Sequence, residues 1–501
     1  MASLAYISTA VQAHTWVSSM IVVLLGLMYI ITYRVFFHPL SRYPGPLLGR
    51  FTDFYSFYGV YKQNRTKLQY GFLQKYGSPV RFSTNELVFS DLKTVSEIYG
   101  QSSTMPEKER RISEALSATG VPSVLTIVDR VHHGRVRRLL ANGFSLKSML
   151  DSERAIAQRI ELYVDLTFRS GTSSDSAGPR DIYRNTHKLF LDIISQLGFG
   201  KSFDSLSDEN STALEDVESF GQVVPPQAFF PGFRYLPFDS IREGFKGVAR
   251  LEVFAKECVN KQMDGTGKHD SDPQSILSNM FDAQEAESST RLTMGEIVEN
   301  TIIFLVAGTG TTAVTLTYLI WECGRRPEIM KKLVEEIRAA FPDPTVMPTY
   351  VEASKLKYLS NVIDETLRLW GPLNTGVPRT STGRMIDGKY FPAGVGISNN
   401  PYATARDPEI FPQPNAYEPD RWNGASAEMR LMSRPFSIGP RNCIGRHLAL
   451  MGLCLTVARV FQLFDIETDP SMTEDRMRLK DRGVFSPWDE SLLVWAQSAK
   501  S

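Results

Sequence analysis

The stretch Phe436-Ser437-Ile438-Gly439-Pro440-Arg441-Asn442-Cys443-Ile444-Gly445 constrains this chain more than any other part of it. A cysteine that ligates a metal must be held as thiolate, which needs hydrogen-bond donors or positive charge close to the sulfur. Gly439 and Gly445 permit tight backbone turns and close approach to a flat ring, where a Cβ would obstruct. Arg441 can pair with a carboxylate on that ring, and Phe436 supplies an apolar wall near the sulfur. The run His447–Phe464 that follows is strongly helical, so the sulfur lies near a helix N-terminus, where the dipole favours negative charge. Phe, Gly, Arg, Cys and Gly in this register arise by chance on the order of 10⁻⁴ per chain of this length. The segment meets what a thiolate metal ligand beside a flat, carboxylate-bearing ring requires.

Cys258, Cys323 and Cys454 lack such neighbours and read as small buried hydrophobes. Four scattered cysteines in 501 residues exclude a disulfide scaffold, and no C-x-x-C pair suggests zinc. Lys+Arg and Asp+Glu both number 55, so the net charge is zero and the electrostatic case for a nucleic-acid partner falls away. The length suits one large domain or two to three average ones, with room to enclose a cofactor.

Trp16–Tyr33 is an uncharged apolar run of 18 residues, near the lower limit for a membrane-spanning helix. Trp16, Tyr29 and Tyr33 stand near its ends, where amphipathic rings favour the interface. No Lys or Arg precedes the run, whereas Arg34 and Arg42 follow it. That is the reverse of a cleaved signal peptide and puts the body of the chain in the cytosol. Residues 1–15 are then a short lumenal N-terminus, 16–33 a single transmembrane anchor, 34–50 a stiff proline-rich connector and 51–501 the catalytic domain. The sequons at Asn64 and Asn210 fall on the cytosolic side, where neither is glycosylated.

The body is mainly α with minor β. Val80–Phe89 alternates like a strand, while His187–Leu197 and Leu251–Met263 each carry one apolar face at helical spacing. Asp264–Gln274 reads as a polar surface excursion, and the prolines and phenylalanines of 225–231 as an apolar turn that lines an entrance, touches lipid or simply packs. Thr293 and Glu296 form a capping box ahead of a helix that can run to Cys323, and Pro327 suits the first turn of the next.

The cysteine segment resembles the haem-binding signature of the cytochrome P-450 family, and Cys443 falls at its axial thiolate. The resemblance covers about Pro39 to the C-terminus. It implies a haem-thiolate fold with haem b (iron protoporphyrin IX), and thiolate ligation favours O–O cleavage. Glu365 and Arg368 share a helix face on Leu359–Leu369. The same E-x-x-R spacing begins at Glu107, Glu322, Glu335 and Glu418, usually a solvated ion pair worth little. The order Glu365, then Glu418-Pro419-Asp420-Arg421-Trp422, then the cysteine loop is similar to the family's buried network of Glu365, Arg368 and Arg421, whose role is structural. His133 and Arg137 resemble the family's haem-facing Trp and Arg, with His133 departing from the Trp. Arg379 resembles a further propionate contact.

Ala307-Gly308-Thr309-Gly310-Thr311-Thr312 resembles the family's oxygen-activating segment, with Gly308, Gly310 and Thr311 at the catalytic positions. Gly310 stands where the family has an acid, which leaves the route of the two protons that O₂ activation consumes open among water, Thr311 and substrate. Threonines bonding back to the preceding turn are expected to bend this helix. As G-x-G-x-x-A, the same residues suit a dinucleotide fingerprint, which requires a strand ending at Ala307 and makes Glu328 the ribose-binding acid of a membrane-tethered NAD-dependent dehydrogenase. A non-catalytic haem protein is the third reading.

Family analogy places substrate near Ala115–Leu125, Phe229–Tyr235, Phe304–Thr311, Leu373–Val377 and Val484–Phe485. The small and aliphatic residues after the E-x-x-R helix suit an apolar small molecule such as a terpenoid, polyketide or alkaloid. Only about 37 residues follow Phe464, too few for a flavin domain. Electrons are therefore expected from a membrane-bound NADPH-cytochrome P-450 reductase, with cytochrome b5 as a second donor. The connector and anchor resemble fungal microsomal members, which implies the endoplasmic reticulum membrane and secondary metabolism.

Overall fold

Caps and prolines set the boundaries of the helices that carry the site. In the computed structural model, which describes residues 2–101, 105–169, 178–230, 232–264, 275–283 and 291–499, Thr293 Oγ1 accepts the N–H of Glu296 at 3.2 Å. Glu296 Oε2 accepts the N–H of Thr293 at 2.8 Å in return, completing the box. The helix so started, Met294–Gly324, runs through the centre of the molecule and is buried along most of its length. Pro327 opens Pro327–Ala340, as its fixed φ allows. Around the central helix pack Tyr183–Phe199, Asp239–Met263, Lys357–Trp370 and Arg446–Leu463, which between them form the main apolar core. The two sequence-predicted helices thus lie inside longer ones, and residues 265–274 of the polar excursion lie outside the described residues.

A five-stranded sheet flanks the helical body, in the order Val80–Ser83, Glu86–Phe89, Gly396–Asn399, Arg379–Thr380 and Glu107–Lys108. The first two strands are the predicted alternating segment, folded as an antiparallel hairpin. In the last pair Lys108 lies directly opposite Arg379.

The N-terminal helix spans Ala2–Thr32 and passes into a π-helical turn, Tyr33–Phe37. It starts well before Trp16 because residues 2–15 contain neither proline nor glycine, and Pro39 follows its end. Its Trp16–Phe37 portion has a mean hydropathy of 2.2 and none of it is buried, whereas the equally long apolar central helix is a core helix. The unbroken helix through Ala307 leaves no strand there, and Glu328 lies in a helix, so the dinucleotide geometry is absent.

Candidate haem-thiolate site

Two left-handed backbone positions shape the cysteine loop: Ser437 at φ 59° and Gly439 at φ 71°. A Cβ on Gly439 would stand 2.2 Å from the carbonyl oxygen of Tyr99, so glycine is required there on both counts. The Cys443 N–H donates to the Phe436 carbonyl at 2.9 Å and closes the loop. The Phe436 ring packs against the main core with the Arg446 guanidinium 5.8 Å from its centroid. Gly445 departs from expectation. Its φ of −82° is ordinary, and an added Cβ would meet only Cys443 Sγ, at 4.0 Å. No turn demands glycine at this position; it keeps one side of the sulfur open.

Helix Arg446–Leu463 begins directly after, so the thiol sits at its N-terminus. Burial pushes the Cys443 thiol up, while the Gly445 N–H and the charges of Arg137 and Arg446 pull it down. The residue is nonetheless exposed.

Beside this loop the chain gathers cations that outnumber the nearby carboxylates: Arg441 feels Asp129 and Glu107 as well as Arg379 and Arg130. Arg379 is 3% exposed, and among the described residues its Nε has no partner and its only hydrogen bond is a 3.4 Å contact to the carbonyl of Pro378. Lys108, opposite it in the ladder, is buried and among the described residues donates only to the carbonyl of Leu125. Arg441 donates to the carbonyls of Ile127 and Val128, the latter at 2.6 Å. His133 is buried, and burial followed by the charges of Arg441, Lys108, Arg137 and Arg379 lowers it to about 3, so the ring is neutral. Among the described residues none of these groups forms an ion pair. Buried cations left alone cost several kcal/mol each. A group bearing two carboxylates resolves that cost, and the two propionates of haem beside a thiolate meet this donor set.

Sequence reasoning missed Lys108, because nothing in Glu107-Lys108-Glu109 separates it from a surface lysine; only its ladder partner does. Arg137 Nη1 donates to the Asn442 carbonyl at 2.7 Å and its Nη2 to the Asn442 side chain, so it braces the cysteine loop directly.

Away from its two ends, the central helix is buried except at one place. Ala307 is exposed and Val306, Gly308, Gly310 and Thr311 are half-buried, so this segment also faces an opening. Thr311 Oγ1 donates to the Ala307 carbonyl at 2.7 Å, and Thr309, Thr315 and Thr317 bond back in the same way without interrupting the helix. A Cβ on Gly310 would meet nothing within 4 Å, whereas one on Gly308 would stand 2.8 Å from Ile194 Cγ1. Gly308 therefore serves helix packing, and Gly310 opens on to free space.

Glu365 and Arg368 are both fully buried, with Arg368 Nε on Glu365 Oε2 at 2.8 Å and Nη2 on Oε1 at 2.7 Å. Arg421 Nε joins at 2.9 Å, completing the expected triad. Of the other E-x-x-R pairs, Glu322 is also buried, held by Arg325, Arg326 and Trp370, so that pair is no solvated ornament. Among the proposed substrate positions Leu125, Leu373, Val377 and Val484 are exposed. Phe304 and Phe485 lie in the core instead, Phe304 edge-on to Phe144. Phe229 and Phe57 share a cleft beside the sheet with Arg111 and Pro378.

The profile of the cytochrome P-450 family matches residues 39–490. The chain is 29% identical to the averantin hydroxylase of Dothistroma septosporum over 96% of this chain and 90% of that one. It is 30% identical to a cytochrome P-450 monooxygenase of Botryotinia fuckeliana, covering 91% of each, and 28% identical to the monooxygenase poxM of Penicillium oxalicum, covering 91% and 90%.

Proposed function

Since the chain belongs to the cytochrome P-450 family and is a haem-dependent monooxygenase, we propose that it uses haem b held by Cys443 to oxidise an apolar small molecule of secondary metabolism. The observation that carries the residue assignment is the accessible Cys443 thiol on the loop that also brings Arg441 to the buried cations Lys108 and Arg379, none of which forms an ion pair among the described residues. Arg379, Arg441 and Lys108 would hold the two propionates, with neutral His133 as a further hydrogen-bonding partner. Haem with a thiolate supplies O₂ activation when bound.

The chain's own part is to place and protonate. Gly310 leaves space over the site and Thr311 presents a hydroxyl there, so protons pass by way of Thr311 and water, with no carboxylate on this stretch of helix. The apolar run Val306–Gly308, with Ala307 exposed at its middle, orients substrate by contact. Averantin hydroxylase is named for a hydroxylation, and the reading extends that reaction class, not that substrate, to this chain.

The exposed apolar helix with Arg34 and Arg42 behind it supports a single-pass anchor in the endoplasmic reticulum membrane, with the body cytosolic. Residues 34–50 form the connector and 51–501 the catalytic domain. Electrons then come from NADPH-cytochrome P-450 reductase in the same membrane, aided by cytochrome b5. The test is spectroscopic: the reduced protein with carbon monoxide shows the thiolate-type Soret shift and Cys443→Ser loses it. A Soret band of histidine ligation in the unaltered protein would contradict the assignment. Comparison of metabolites with and without the protein, reductase present, identifies the substrate.

A further inference from the structure

Glu299 lies near the start of the central helix, is fully buried, and pairs with no cation among the described residues. Its carboxylate is satisfied instead by a loop. Oε1 accepts the N–H of Ala118 at 2.9 Å, and Oε2 accepts the N–H of Thr119 at 3.0 Å and its hydroxyl at 2.8 Å. The loop is closed on itself around this point: Ser117 Oγ accepts the N–H of Gly120 at 2.9 Å and donates to the carbonyl of Val121 at 2.8 Å. The next residue of the helix, Asn300, accepts the N–H of Val124 at 3.0 Å. Farther along, Lys108 and Arg441 hold the carbonyls of Leu125, Ile127 and Val128.

Residues 117–128 thus form a strap from the central helix to the cysteine loop. Its two ends are held by different kinds of bond. Toward the cysteine loop, Lys108 and Arg441 are also the cations assigned to the propionates. Toward the central helix, the Glu299 carboxylate, which pairs with no cation among the described residues, holds residues 118 and 119, and the neutral Asn300 side chain adds one bond to Val124. Opening that end strands a buried anion, so the closed state is favoured sharply.

We propose that Glu299 is a positioning residue that latches this strap and so sets how readily bulky molecules reach the haem face. The inference rests on the haem-thiolate reading above. It is tested on the full-length, haem-loaded ferric protein by stopped-flow association of two iron-binding probes, imidazole and the much bulkier clotrimazole. Glu299→Gln keeps the shape but replaces one acceptor with a donor that faces donors. A lost charge-assisted bond corresponds to roughly tenfold in an equilibrium, so clotrimazole is expected to associate about tenfold faster and imidazole within about twofold of the unaltered protein. Thr119→Val removes one of the three bonds without stranding a charge, and is expected to move the same way by about threefold; it serves if the glutamine variant does not fold. Unchanged rates, or an equal rise for both probes, overturn the latch. Loss of the Soret response to both probes in the unaltered protein would instead overturn the haem-thiolate reading.

Discussion

Replacing Glu365 with alanine removes the acceptor for five donors: Arg368 Nε and Nη2, Arg421 Nε, Trp422 Nε1 and the N–H of Glu418. Arg368 keeps its bonds to the carbonyls of Ala405, Pro414 and Ala416, at 2.8, 2.7 and 3.0 Å, so its guanidinium cannot swing out to water. It is left as an uncompensated buried charge, at a cost of about 3–5 kcal/mol. Orphaning the Trp422 and Glu418 donors adds about 1 kcal/mol each before non-additivity is allowed for. The sum, roughly 6 kcal/mol, is a large part of a typical stability of about 5–15 kcal/mol. An unfolding entropy of about 2.1 cal/mol/K per residue over roughly 450 residues converts it to a Tm lower by about 6 °C. The assay is thermal unfolding followed by haem absorbance, alongside the fraction of protein that retains haem. Glu335→Ala is the control, because that carboxylate belongs to the same sequence pattern but is 64% exposed and its lysine lies 3.8 Å away. Equal Tm values and equal haem content in the two variants would refute the argument that burial, not the E-x-x-R pattern, carries the energy.

Lys108→Met should act with opposite signs on two measurements. Without haem it removes an isolated buried charge and raises Tm, while with haem it speeds cofactor loss to apomyoglobin by about tenfold, the equivalent of one charge-assisted bond. Gly310→Ala meets no atom within 4 Å and trades glycine for the best helix former, so Tm should rise by the equivalent of up to about 1 kcal/mol while coupling of NADPH to product changes. A drop in Tm would show that the space above Gly310 is not open. Glu218 supplies a pH dependence away from the site: burial raises its carboxyl to about 7. The folded state therefore holds a proton that the unfolded chain releases, so its contribution is full below pH 4.5 and is lost as pH rises to about 7. Glu218→Gln should match the unaltered protein in denaturant midpoint near pH 4.5 and exceed it by up to about 3 kcal/mol at pH 8; a constant offset across that range would exclude the titration.

Local chemistry made much of the site legible. The capping box at Thr293 needs only residues three apart, and Pro39 and Pro327 act through their own rings, so the central helix, its successor and the end of the N-terminal helix could be read directly. The cysteine loop was equally local, since glycine, arginine and sulfur act within ten residues of each other. Gly308 and Gly310 show where such reading stops. Both look permissive in the sequence, yet one is required by Ile194 on another helix and the other by nothing in the protein. Phe304 and Phe485 are buried in the core for a reason of the same kind: which side of an element faces the core depends on what packs against it.

What the sequence determined by itself was the chemistry available: one cysteine in a thiolate-forming loop, an acid absent at Gly310, and an apolar run too long and uncharged to ignore. What only the tertiary structure decided was which charges lack partners. Arg379 and Arg441 could be suspected from their motifs, but Lys108 is ordinary in its local setting, and Glu299 reads as one more polar residue on a helix. Their meaning comes from being carried out of water to places where no opposite charge waits. Desolvation depends on the whole fold, so no window of sequence contains it.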